Sequence, residues 1–184
     1  MTRALRIVLS RLRQFPAAKG GIAAIEFALV LPFMALLYLG GFEVMEEISA
    51  NRQVSLTAST VAEIVSQYST ISQSQTMPGI LAASTSVLTP FSSANAVVTV
   101  SLITIDSTGK ATITWSQSMN GTGRTVGATV ALPAQLDVAN TYVILGETSY
   151  TYTPTIDFLH RGTMTLYSSI YMLPRQPGTI TLTT

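Results

Sequence analysis

The chain has 184 residues, 47% of them hydrophobic and only 10% charged, with no cysteine, one histidine and a formal net charge of +1. It therefore builds neither disulfides nor thiolate metal sites, and no basic patch supports nucleic-acid binding. The net charge hides an asymmetry: beyond Gly21 five basic residues (Arg52, Lys110, Arg124, Arg161 and Arg175) stand against nine acidic ones, a net of −4, because the other five cations are crowded at the start.

Residues 1–21 form a basic leader, with Arg3, Arg6, Arg11, Arg13 and Lys19 and no acid. A run of 21 residues follows, Ile22 to Phe42, in which Glu26 is the sole charge. At ~1.5 Å rise per residue such a run crosses a bilayer core as a helix. Lys and Arg beside a span hold their side in the cytoplasm, so the expected topology is N-terminus in, C-terminus out. An ordinary secretory signal peptide also has a basic front and an apolar core. Its core is usually ~7–15 residues and ends at a small-residue cleavage site, whereas this run is longer, carries Glu26 near its start and runs into Glu43, Glu46 and Glu47.

A carboxylate at membrane depth is costly, and such residues tend to serve function. Two readings of Glu26 stand: an assembly residue, or a side chain that snorkels to the headgroups. Pro32 inside the run removes one helical hydrogen bond and is expected to kink the helix. Gly40 and Gly41 close the run, and as adjacent glycines they suggest fraying rather than a spaced packing motif.

Past the run Val54, Ala58, Val61, Val65 and Tyr68 recur at spacings of four and three, an amphipathic stripe opposite Arg52, Gln53, Glu63, Ser66 and Gln67. One helix from Ile22 to about Ser72 is expected, half in lipid and half packed on an exported domain. Met77, Pro78 and Gly79 are read as its stop, with a short second helix from Ile80 to Leu88. From Ala96 the period changes. AVVTVSLITI and ATITW read as strands around a DSTGK hairpin loop, with further strands at Thr141 to Thr153 and Thr163 to Met172 and a long loop from Asn120 to Gln135. The fold class expected is α+β, a long N-terminal transmembrane and amphipathic helix packed on a small antiparallel sheet. The domain plan is 1–21 leader, 22–42 transmembrane helix, 43–76 amphipathic continuation and 77–184 exported α+β domain.

Candidates for chemistry are few. Asp157 precedes His160 by three residues, but no nucleophile motif completes a general-base pair. GTGRTVG lacks the Lys-Ser/Thr ending of a phosphate loop, Asn120-Gly121-Thr122 is a short sequon, and the scattered carboxylates suggest no metal cluster. The expectation is a non-enzyme with no cofactor and no metal.

The basic leader, Gly21, Glu26 and the apolar helix together resemble a type IV prepilin, and Gly21 through Pro32, GIAAIEFALVLP, resembles more closely the TadE/TadG-like minor pilins (pseudopilins) of the tight-adherence, or Flp, pilus system. Near the C-terminus TYVILGETSYTYTP and YMLPR are weaker matches to that family's final strands. The resemblance implies a pilin-like fold and cleavage by a prepilin peptidase between Gly21 and Ile22. Glu26 then becomes the fifth residue of the mature chain, with Phe27 beside it in the segment recognised for processing and assembly. It implies as partners the peptidase, other pilin and pseudopilin subunits, the assembly platform in the bacterial inner membrane, and membrane lipid. The chain would be held in the inner membrane as a single-pass protein with a periplasmic C-terminal domain, in the machine or in the extracellular filament of an adhesive pilus. A cut after Gly21 would free an ammonium on Ile22, four residues from Glu26 and on the same helix face. The alternative is an uncleaved, membrane-anchored periplasmic binding module.

Overall fold

A computed structural model describes residues 21–176 and 178–184; the leader before Gly21 lies outside the described residues. The chain divides into two compact units, Met1–Val44 and Met45–Thr184. One helix, α1 (Ile22–Ser66), supplies the described part of the first unit and opens the second. The remaining elements are β1 (Thr70–Ser72), α2 (Thr76–Thr85), β2 (Ala96–Ile105), β3 (Ala111–Met119), β4 (Thr141–Tyr152), β5 (Met164–Met172) and β6 (Thr181–Thr183). The fold class is α+β, as expected.

Strands β2 to β5 form one antiparallel sheet in the order β3-β2-β4-β5, while β1 and β6 pair in parallel as a separate two-stranded sheet. The inner face of the larger sheet carries Ala96, Val98, Val100, Leu102, Ile144, Tyr150 and Tyr152, which form one core with Val54, Val61, Ala62 and Val65 of α1 and with Met77, Ile80 and Leu81 of α2. The amphipathic stripe is the buried one: Val54, Ala58, Val61 and Val65 are all fully shielded. A register shift where Leu102 opposes Trp115 and Ile103 opposes Ile113 leaves Thr114 as an extra residue on β3. That bulge resets the alternation. Trp115 turns into the main core while Ile113 joins Ile103, Ile105, Ala111, Val143 and Leu145 in a second cluster on the outer face, under Val130 and Leu132 of the 120–135 loop.

Several local expectations are corrected. α1 ends at Ser66, not about Ser72, so the amphipathic continuation stops short of residue 76. The last turn tightens, with Gln67 N–H donating to the Ile64 carbonyl and Tyr68 N–H to that of Val65, and the Ser66 carbonyl is capped from afar by the Arg175 N–H at 2.9 Å. Tyr68 therefore falls beyond the helix, and Ser66, placed on the polar face by periodicity, is buried. Pro78 and Gly79 do not stop α1. They lie in the first turn of α2, where a proline loses no helical hydrogen bond. Gly40 and Gly41 lie within α1, which continues through them without fraying.

Candidate functional site

In the first unit, Gly21 lies directly before α1, with open space around the position a Cβ would take, and Ile22 is the first residue of the helix. Glu26 and Phe27 follow in its second turn and Pro32 lies inside it, with α1 assigned continuously on both sides. Ile22 and Phe27 are 57% and 61% exposed, and Leu29, Phe33, Leu37 and Tyr38 are as open or more so. Glu26 is exposed too. α1 is thus a helix long and apolar enough to cross a membrane, and its most apolar window has none of its residues buried. A surface of this kind in water would be a large unpartnered apolar patch; in lipid it is the expected surface of a span. The five positions singled out from sequence therefore lie within twelve consecutive residues, on the first third of one helix and its threshold.

The second unit carries a polar site that sequence reasoning missed. On β4, alternation puts Glu147 on the outer face with Val143 and Leu145, so a carboxylate is buried there at 8% exposure. GTGRTVG, which reads only as a turn-rich loop, delivers its partner. Arg124 is positioned by a 2.8 Å hydrogen bond from its backbone N–H to Ser116 Oγ. Its guanidinium then forks onto Glu147, Nε to Oε2 at 2.6 Å and an Nη to Oε1 at 2.7 Å. Tyr167 of β5 donates its hydroxyl to the same Oε1 at 2.5 Å. Burial pushes the Glu147 carboxyl up, but the hydrogen bonds from Arg124 and Tyr167 outweigh it and hold the group below the usual carboxylate range. Burial and the Glu147 carboxylate raise the Tyr167 hydroxyl. Val97, Thr99, Thr122 and Ser149 complete an open cleft of about 240 Å³ around the trio. With the guanidinium forked onto the carboxylate, the arrangement holds the 120–135 loop to the sheet.

The remaining candidates resolve into structure. Asp157 and His160 adopt positive φ of 40° and 52°, the Asp157 Oδ1 accepts from the Gly162 N–H at 3.0 Å, and His160 Nδ1 lies 3.1 Å from the Phe158 carbonyl. The pair shapes a turn. Asn120 of the sequon, also at positive φ, spends its side-chain amide on the Ser93 and Ala96 carbonyls at 3.2 and 2.9 Å. Among the described residues no group of three or more His, Cys, Asp or Glu is placed to hold a metal ion.

The segment that begins at Gly21 is also the one that similarity singles out. Residues 21–62 match the family model described as TadE-like protein. The match starts on the glycine of the predicted cleavage junction, includes Glu26, Phe27 and Pro32, and ends four residues before α1 does. The TadE-like segment is thus nearly the whole of α1, and the C-terminal stretches TYVILGETSYTYTP and YMLPR lie outside the match. No curated protein matches the chain. No solved structure matches it either. The likeness points to a protein associated with a tight-adherence pilus, and α1 fits a membrane anchor.

Proposed function

We propose that the chain is a minor pilin or pseudopilin of a tight-adherence pilus, made as a precursor with a basic leader and cut by a prepilin peptidase between Gly21 and Ile22. The observation that carries this reading is the coincidence at Gly21 of three boundaries: the end of the basic leader, the start of α1 and the start of the TadE-like match. Before assembly α1 holds the chain in the inner membrane, leader side in the cytoplasm and the Met45–Thr184 unit exported. Cleavage leaves an ammonium on Ile22, and Glu26 supplies a carboxylate one helical turn away. A carboxylate in the first turns also meets the positive end of the helix dipole, worth ~0.3–1 kcal/mol where exposed. The amine of a neighbouring subunit offers the same carboxylate a partner in lipid, which would set the axial register of packed helices.

A passive anchor for a binding module needs neither Gly21 nor Glu26, and in the cleft on the exported unit Arg124 is engaged by Glu147. The test is piliation in cells that lack this chain. Loss of pili or of pilus function, restored by the parent chain, supports the reading. Normal pili without the chain, with a soluble ligand retained by the exported unit, would favour the binding module.

A further inference from the structure

Between β4 and β5 the chain passes through residues 153–163, whose tip exposes three apolar side chains in four positions: Ile156, Phe158 and Leu159, at 48%, 36% and 42%. Single exposed apolar residues are ordinary, but a clustered tip on a shaped loop is not. The shape is fixed locally by the Asp157 to Gly162 turn already described. The loop is also tied to α1 at both ends of the tip. Thr155 Oγ1 donates to Glu46 Oε1 at 2.8 Å, and the Arg161 guanidinium forks onto both oxygens of Glu47.

Those tethers locate the loop along the chain. Glu46 follows Phe42, the last residue of the apolar run, by four residues. Four residues reach at most about 14 Å fully extended, and about 6 Å as helix. The headgroup layer on each face of a bilayer is itself about 5–8 Å deep. Whatever angle the chain takes on leaving lipid, a loop tied to Glu46 and Glu47 cannot be far from that layer. Its charges suit the place: Arg161 is neutralised by Glu47, the Asp157 Oδ1 is hydrogen-bonded to a backbone N–H, and His160 adds the only other titratable group on the loop. Phe and Leu are among the side chains that interfacial segments seat at the headgroup boundary.

We propose that residues 153–163 are a membrane-surface contact, with Ile156, Phe158 and Leu159 seated in the headgroup and upper acyl layer of the bilayer that α1 crosses. The exported unit then holds the membrane at two points, the helix and this loop. The inference rests on the reading of α1 as a span. Its ligand is a lipid surface rather than another subunit.

The test exploits the lack of cysteine. Full-length chains carrying Leu159→Cys, Val126→Cys or Phe33→Cys are labelled with an environment-sensitive fluorophore and reconstituted into phosphatidylcholine vesicles. Val126 is 64% exposed on another loop, and Phe33 is 70% exposed on α1. The label at 159 should be blue-shifted and quenched by shallow spin-labelled lipid at least twofold more than the label at 126, and Arg161→Gln should reduce that quenching. A label at 159 that behaves like the label at 126, while the label at 33 is quenched by lipid, overturns the proposal alone. If the label at 33 escapes quenching by lipid spin-labelled deep in the acyl chain, the span reading fails and the proposal falls with it. A blue shift at 159 only in native membranes that contain pilus proteins, and not in vesicles, assigns the tip to a protein partner and also overturns it.

Discussion

The Ala58 carbonyl of α1 lies so close to Gly146 of β4 that a Cβ at position 146 would overlap it, and the same atom would stand 3.1 Å from Ala62 Cβ and 3.2 Å from Val61 Cγ1. Helix and sheet approach each other here by leaving a side chain out. Three backbone-lined or branched neighbours cannot all move aside, so Gly146→Ala must push α1 off the sheet. It should cost about 1–3 kcal/mol, the usual range for overpacking a tight core, seen as a lower thermal midpoint of the full chain in detergent. Gly79→Ala is the control, because its Cβ would meet nothing within 4 Å on α2, and a helical Gly→Ala exchange is worth up to ~1 kcal/mol of stabilisation. An unchanged midpoint for Gly146→Ala would contradict the packing described.

Glu147 makes a second prediction, through pH. Its folded-state carboxyl is held below the ordinary range by Arg124 and Tyr167 in spite of burial, which opposes the shift. A depressed carboxylate contributes stability above its unfolded pKa, about 4.3, and that contribution is lost as pH falls through the lower folded value. The domain should therefore lose stability on acidification below the ordinary carboxylate range, and Glu147→Gln should flatten that acid limb. Arg124→Met at neutral pH leaves a buried charge without its ion partner. Breaking a fully buried pair costs about 3–5 kcal/mol; with Arg124 at 42% side-chain exposure solvent screens part of this, and about 2 kcal/mol is expected. Denaturant midpoints measured across pH for the parent and both variants decide it. An acid limb of equal slope in Glu147→Gln would refute the assignment.

How far the sequence carried these features follows from the range of the interactions. The four long strands and the α1 stripe were legible because period 2 and period 3.6 are local signals, and Val54, Ala58, Val61 and Val65 needed only their spacing. The end of α1 was not, since the Ser66 carbonyl is capped by Arg175, more than a hundred residues on. β1 and β6 escaped notice for the same reason: three residues each are too short to show alternation, and they are held by pairing between chain segments far apart, with the Trp115 indole donating to the Ile180 carbonyl at 2.8 Å. Pro78 was legible as a break but ambiguous in sense, because a proline marks the first turn of a helix as readily as the end of one. The Arg124–Glu147 pair does leave a signal in the sequence. A lone Glu in the apolar strand TYVILGETSYTY requires a buried partner, and Arg124 in GTGRTVG was one of only five cations after the leader.

Glu26 separates an assembly residue from a passenger. Glu26→Gln keeps size and most hydrogen bonding but removes a charge whose cost at mid-membrane is at least ~2.5 kcal/mol. Membrane insertion should be undiminished and cleavage nearly intact, while pilus formation, or co-purification with other pilins, collapses. Equal piliation in variant and parent, scored by electron microscopy of sheared cells, would return Glu26 to a side chain that merely snorkels.

Cleavage between Gly21 and Ile22 is read most directly from the intact mass of the protein extracted from membranes of cells that carry the peptidase. A mature chain that begins at Ile22 and lacks residues 1–21 is expected, with accumulation of the full-length form when Gly21 is replaced by a bulky residue, since glycine obstructs an extended backbone in a protease cleft least. A mature species that retains residues 1–21 in the parent, or one that begins at any residue other than Ile22, would contradict it.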